Sequence, residues 1–210
     1  MTRITALTLA AVLLACVPLA AAGEHMTPAD AKATIKMLDD AKMTLAKSIE
    51  TAETCCKGKA GFAGGHKHEG KVDVMVVSMV GEKWVECHID AAGKCSKTSD
   101  WKPAADDKDH KPADMAKAVA AMGEAKITWA KAIEAAEGHS KGRAFGAHVE
   151  MEKDALDVEV YCLVGEKMMK CEMDKTGKVT KMEEMKGDAH AGHDHGDKKE
   201  DKKEKKDGGH

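Results

Sequence analysis

The sequence predicts an α+β fold built from two repeated small domains, each with one helix packed on a three- to four-stranded antiparallel sheet. Three observations lead there. The chain matches itself after a shift of about 84 residues. Each matching unit opens with strong helix formers, and each closes with apolar residues at alternate positions between turn signals.

The self-match runs without a gap. Pro28-Ala29-Asp30 corresponds to Pro112-Ala113-Asp114, and Ala46-Lys47-Ser48-Ile49-Glu50 to Ala130-Lys131-Ala132-Ile133-Glu134. Val80-Gly81-Glu82-Lys83 returns as Val164-Gly165-Glu166-Lys167, and Cys87-His88-Ile89-Asp90 as Cys171-Glu172-Met173-Asp174. A unit of this length is too long for a solenoid repeat and suits a small domain. Repeat one is expected over 26–97 and repeat two over 112–184. The Asp/Lys-rich stretch 98–111 reads as a linker. The Lys-, Asp- and His-rich stretch 185–210 reads as a disordered tail, since its composition cannot bury a core.

Thr27-Pro28 reads as an N-cap followed by Pro at the first helical position. A single helix is expected from there to Glu53, with Ile35, Leu38, Leu45 and Ile49 on its apolar stripe. Val119, Met122, Ile127 and Ile133 repeat the stripe, and Gly58 and Gly138 mark the helix exits. In repeat two a weaker strand is expected over 144–152. Then Leu156, Val158, Val160, Cys162 and Val164 alternate with Asp157, Glu159, Tyr161 and Leu163, so one face should turn inward. Met169, Cys171 and Met173 form the next inward face. Asp174-Lys175-Thr176-Gly177 is a turn with Gly where a positive φ is needed.

The chain has 210 residues and a formal net charge of -3, with acidic and basic residues interspersed. No basic face for phosphates is evident, which argues against nucleic-acid binding. The N-terminus reads as an export signal over 1–22: a positive start at Arg3, a short apolar run, and Ala20-Ala21-Ala22 as a cleavage site. A second route competes. Leu13-Leu14-Ala15-Cys16 resembles a lipobox, which would make Cys16 a lipidated N-terminus and the protein an anchored envelope protein. Either way a periplasmic or extracellular protein is expected, with no transmembrane segment in its mature part.

The helix with Ala-Lys-Ala-Ile-Glu-Ala-Ala, the alternating strand and the turn Asp174-Lys175-Thr176-Gly177-Lys178-Val179 together resemble PepSY, a domain of peptidase propeptides and exported bacterial proteins. Asp90-Ala91-Ala92-Gly93-Lys94-Cys95 follows the same pattern less closely. The resemblance implies an α+β fold and a non-catalytic binding module that regulates or inhibits a secreted peptidase; it supplies no catalytic residues. No His-Glu-x-x-His is present, so no metallopeptidase is expected; with no nucleophile–base set, Gly-rich phosphate loop or Cys-x-x-Cys either, the chain is not expected to be an enzyme.

Six cysteines remain after signal removal, an even count that suits disulfides in an oxidising compartment. Cys87 and Cys95 flank one turn and are a candidate bridge; Cys162 and Cys171 lie on neighbouring strands and are a candidate bridge or a pair of buried thiols. Cys55, Cys56, His66 and His68 form a candidate soft-metal set for Zn²⁺ or Cu(I), with exposed loop residues as the competing account. His190, His193 and His195 suit a flexible divalent-ion chelate or a solubilising tail. Cleavage after Ala22 would leave His25 third from a free amine, a set of nitrogens suited to Cu(II) or Ni(II). A cell-envelope metal-binding or metal-buffering protein is therefore the alternative to the peptidase regulator.

Overall fold

A computed structural model describes residues 26–68, 70–103 and 111–185. Its first half runs α1 (Pro28–Asp40), α2 (Leu45–Cys56), β1 (Lys59–His68), β2 (Lys71–Val80), β3 (Lys83–Ile89) and β4 (Cys95–Asp100). The second half repeats this order and these lengths: α3 (Pro112–Glu124), α4 (Trp129–Ser140), β5 (Arg143–Glu152), β6 (Ala155–Val164), β7 (Lys167–Met173) and β8 (Val179–Glu184). Residues 98–100, expected in the linker, thus complete a strand.

The single helix expected in each repeat is corrected to two. The Thr27 hydroxyl accepts from the Asp30 amide and the Asp30 side chain answers the Thr27 amide, so α1 begins with a full capping box. It stops at Ala41, where Lys42 turns to a positive φ of 53°, and Thr44 then caps α2 by accepting from the Lys47 amide. Lys126 (φ 57°) and Thr128 do the same between α3 and α4. No Pro announces the break, and Gly123, present in repeat two alone, still lies inside α3; the Thr shared by both repeats marks it. Nor do Gly58 and Gly138 end the second helices. That role falls to Lys57 and Lys141, both left-handed.

All eight strands of the described residues belong to one antiparallel sheet, ordered β4-β3-β2-β1-β5-β6-β7-β8, which replaces the expected pair of separate small sheets. The physical reason lies at β1 and β5. Each would be an unpaired edge within its own repeat, and each is satisfied by the other. Phe62 pairs with His148, Ala63 with Ala147 and Gly64 with Gly146. Ala147 is the repeat counterpart of Ala63, so a pseudo-two-fold axis passes between them. The outer edges, β4 and β8, are mostly exposed and carry Lys97 and Lys181, which discourages further pairing.

Alternation along β2 and β6 holds, but the face read as outward is also buried at mid-strand: residues 74–78 and 158–162 are buried without interruption. The helices explain this. The second helices, α2 and α4, each lie on their own repeat's strands and touch each other. The first helices reach across. Ala31 and Ile35 of α1 pack with Phe145, Tyr161 and Met168 of repeat two. Met115 of α3 approaches Gly61 of repeat one, and Trp84 Nε1 donates to the Pro112 carbonyl at 3.2 Å. Trp129 Nε1 of α4 donates to the Ala60 carbonyl at 2.9 Å, a buried bond between repeats.

One close approach shows how the halves diverged without losing fit. A Cβ on Gly65 would meet the Thr34 hydroxyl at 1.9 Å. Repeat two has Val149 and Ala118 at these positions, both fully buried, so the bulk has moved from helix to strand.

An isolated fragment spanning residues 112–184 is therefore expected not to fold. It would expose Phe145, Tyr161 and Met168, each worth about 1.5–3 kcal/mol when buried, against a total domain stability of about 5–15 kcal/mol. Urea titration followed by circular dichroism should give no cooperative transition for the fragment and one for a chain spanning residues 26–185. A cooperative transition in the fragment would show the repeats to be self-sufficient.

Candidate metal centre

Strand β3 carries residues to both faces of the sheet. Cys87 sits opposite Val76 and turns toward α2, whereas Glu86 and His88, opposite Val77 and Met75, turn to the other face. There they meet residues delivered by the β1–β2 hairpin, in which His66 pairs with Asp73. The Asp73 carboxylate lies 3.2 Å from His66 Nδ1 through one oxygen and 2.9 Å from His88 Nδ1 through the other. His88 Nε2 bonds the Glu86 carboxylate. The two imidazoles are edge to face, with centroids 5.1 Å apart. His88 and Glu86 are buried, while His66 and Asp73 are partly exposed and form the open rim. One ligand atom from each of His66, Asp73 and His88 falls within a 4.8 Å span.

The electrostatics follow from this geometry. Hydrogen bonds to Asp73 and then Glu86 outweigh burial and raise His88 to about 9. Burial would raise Asp73, but the bonds from His66 and His88 outweigh it and hold the carboxyl at about 2. Glu86 is lowered mainly by its bond to His88. Without a bound ion, protonated His88 is thus the cation between two carboxylates.

Repeat two places Glu150, Asp157, Glu159, Lys170 and Glu172 at the positions of His66, Asp73, Met75, Glu86 and His88. Its cation is covalent. Lys170 Nζ lies 3.0 Å from Glu159, 3.0 Å from Glu172 and 3.4 Å from Glu183. Burial would lower Lys170, but Glu159 and Glu172 hold it above its ordinary value. Tyr161 donates its hydroxyl to Glu159. The same pocket of the fold thus carries a built-in ammonium in one repeat and two imidazoles in the other.

The expected set of Cys55, Cys56, His66 and His68 does not assemble. Cys55 and Cys56 end α2 rather than occupying a loop, and His66 faces the opposite side of the sheet from the sulfur atoms. Cys55 forms a disulfide with Cys95, with Cα atoms 6.6 Å apart. Cys56 Sγ donates to the Ala52 carbonyl at 3.0 Å. The expected Cys87–Cys95 bridge is corrected accordingly: Cys87 is a free buried thiol whose Sγ lies 2.8 Å from Cys95 Sγ. Burial first, and Cys56 next, push it up to about 11. Cys162 and Cys171 are also free buried thiols, since Cys162 sits opposite Met169 and Cys171 opposite Val160. Cys16, His25, His190, His193, His195 and the His68 side chain lie outside the described residues. Asp73 and His88 were not anticipated as ligands, nor Glu86 as the carboxylate that holds the other ring nitrogen of His88. The signal for His88 was present as the one imidazole in Cys87-His88 where repeat two has Cys171-Glu172.

No family model matches the chain, so the PepSY resemblance rests on the residues quoted for it. No curated protein matches it either. Among solved structures, a crystal structure from Clostridium difficile 630, provisionally described as a lipoprotein, aligns with a TM-score of 0.41 at 15% identity, covering 63% of this chain and 87% of that one. A likeness at that level assigns neither fold family nor function. Among the described residues no helix is long and apolar enough to cross a membrane.

The carboxylates of repeat two predict a pH effect on stability. Burial first, then Glu159, Glu172 and Glu150, raise Asp157 from 3.8 to about 7. The folded state therefore holds this proton more tightly than the unfolded chain. Its contribution falls as pH rises from about 4 to about 7 and is constant above. Asp157→Asn should stabilise the protein more at pH 8 than at pH 5, read from urea midpoints. An equal gain at both pH values would show that Asp157 ionises normally.

Proposed function

We propose that this chain is an exported, non-catalytic metal-binding protein of the cell envelope, whose folded site on β1–β3 takes a divalent first-row ion, Zn²⁺ foremost. The observation that carries this reading is the convergence of His66, Asp73, Glu86 and His88 on one face of repeat one, at positions where repeat two holds a lysine among carboxylates. Two imidazoles with carboxylates suit Zn²⁺, whose tetrahedral ligand atoms lie about 3.3 Å from one another. One ligand atom each from His66, Asp73 and His88 lies within 4.8 Å of the others, so a small movement of these side chains would bring them to that spacing. A bound ion would replace the His88 proton as the positive charge between Asp73 and Glu86. Export is supported by the signal-like features of 1–22, and the sequence beyond residue 185 carries further imidazoles at His190, His193 and His195.

The peptidase-regulating role implied by PepSY is supported less. Its turn motif is occupied with turn geometry: the Asp174 side chain accepts from the Thr176 amide at 2.8 Å and the Lys178 amide at 3.2 Å. Those bonds account for the Asp without any partner.

Zn²⁺ should raise the melting temperature, because a site formed by three paired strands exists only in the folded chain. At a hundredfold excess over Kd the gain is about 2.7 kcal/mol, or a shift of roughly 5–10 °C for a chain of this size. Deleting residues 187–210 should leave the shift in place, whereas His66→Ala should remove it. A shift that vanishes with the tail and survives His66→Ala would move metal binding to the tail and refute the folded site.

A further inference from the structure

Three sulfur atoms meet under the C-terminal end of α2, on the face of the sheet away from His66 and His88. A structural disulfide needs two cysteines, and Cys55 with Cys95 supplies it. Cys87 is the third. Its side chain is fully buried, its Sγ contacts Cys95 Sγ at 2.8 Å, and the three Sγ atoms lie within 4.8 Å of one another. The repeat provides an internal control. The counterparts of Cys55, Cys87 and Cys95 are His139, Cys171 and Val179. Both halves share the core thiol, and only repeat one has placed two more beside it.

We infer that Cys55, Cys87 and Cys95 form, once the Cys55–Cys95 disulfide is reduced, a three-sulfur site for a thiophilic ion, and that the ion is Cu(I). Thiolates select soft ions, and a set of three sulfurs, with no fourth ligand beside them among the described residues, favours Cu(I) over Zn²⁺, which takes four in closed sites. The site is graded in depth: Cys87 is buried, Cys95 half-buried and Cys55 exposed, so an ion enters at the exposed end of α2. Opening the site is a two-electron step. A dithiol reductant becomes its cyclic disulfide, the Cys55–Cys95 bond breaks, and two S–H groups form. On binding, each S–Cu bond forms as its S–H proton passes to water, and copper keeps its oxidation state. The proposal is independent of the zinc centre, because it uses other residues and the other face.

The full mature chain, reduced with a dithiol under anaerobic conditions, would be titrated with Cu(I) held by the competing chelator bicinchoninate. The expected result is one Cu(I) taken up per chain in addition to any held by the tail, with an ultraviolet thiolate-to-copper band and a sulfur-only shell in X-ray absorption. The protein with its disulfide intact should lose this uptake. Cys95→Val, which installs the residue of repeat two, should lose it too, with Cys55→Ser as a second variant should either alter folding. His66→Ala should leave it unchanged. Uptake that persists in both cysteine variants, a shell containing nitrogen or oxygen, or displacement of Cu(I) by equimolar Zn²⁺ would overturn the assignment. The zinc melting shift, measured on the oxidised protein, stands or falls separately.

Discussion

Three residue pairs at the centre of the sheet hold the two halves of the molecule in one fold. Phe62, Ala63 and Gly64 meet His148, Ala147 and Gly146, and this short antiparallel contact makes one eight-stranded sheet out of two four-stranded ones. It also sets where the first helices lie. With β1 and β5 joined, α1 lies against strands of both repeats and supplies Ala31 and Ile35 to the apolar cluster of repeat two, while α3 brings Met115 to repeat one. A core shared in this way lets a chain with few aromatic residues bury both faces of its central strands. Ala, Val and Met from four helices fill space that one helix per repeat would leave open.

Shared burial has an electrostatic consequence. Polar positions on the face opposite α2 and α4 are drawn into low-dielectric surroundings, where isolated charge is costly. The repeats answer differently. Repeat two neutralises Glu159 and Glu172 with the ammonium of Lys170. Repeat one has a carboxylate, Glu86, where that lysine would be, and so depends on His88, held between Asp73 and Glu86, for compensation. An ammonium is a permanent, compact cation. Imidazole is conditional, since it serves either as a proton carrier or as a ligand. The residues at four strand positions, 66, 75, 86 and 88 and their counterparts, thus decide whether the pocket holds an ammonium or imidazoles.

Much of this was legible in the sequence, and the rest was hidden for identifiable reasons. The duplication, the helix-to-strand order and the Asp174–Gly177 turn all rest on local signals. The break between α1 and α2 was missed because Lys42 takes a left-handed conformation that Gly usually signals. Joining of the sheets was not legible, because pairing of β1 with β5 depends on contacts far apart in sequence. The candidate ligands divide the same way. His66 was noticed for its chemistry, but its neighbours Asp73 and His88 become visible only once the register of β1, β2 and β3 is known. Cys55 and His66, close in sequence, are separated by the thickness of the sheet, which alternation of β3 makes explicit.

The pseudo-two-fold axis between Ala63 and Ala147 bears on ancestry. A polypeptide with one such repeat could cover its exposed strand face and pair its β1 edge only by docking with a twin, so it would be a symmetric dimer whose folding depends on concentration. Fusing the two copies makes that encounter intramolecular and independent of dilution. It also frees the halves from identity. In a homodimer every cysteine or histidine gained on one side appears on the other, and every lysine retained is retained twice. Within one chain, repeat two holds an ammonium among carboxylates while repeat one holds sulfur and imidazole. The chemical difference between the halves is thus open only to a fused chain.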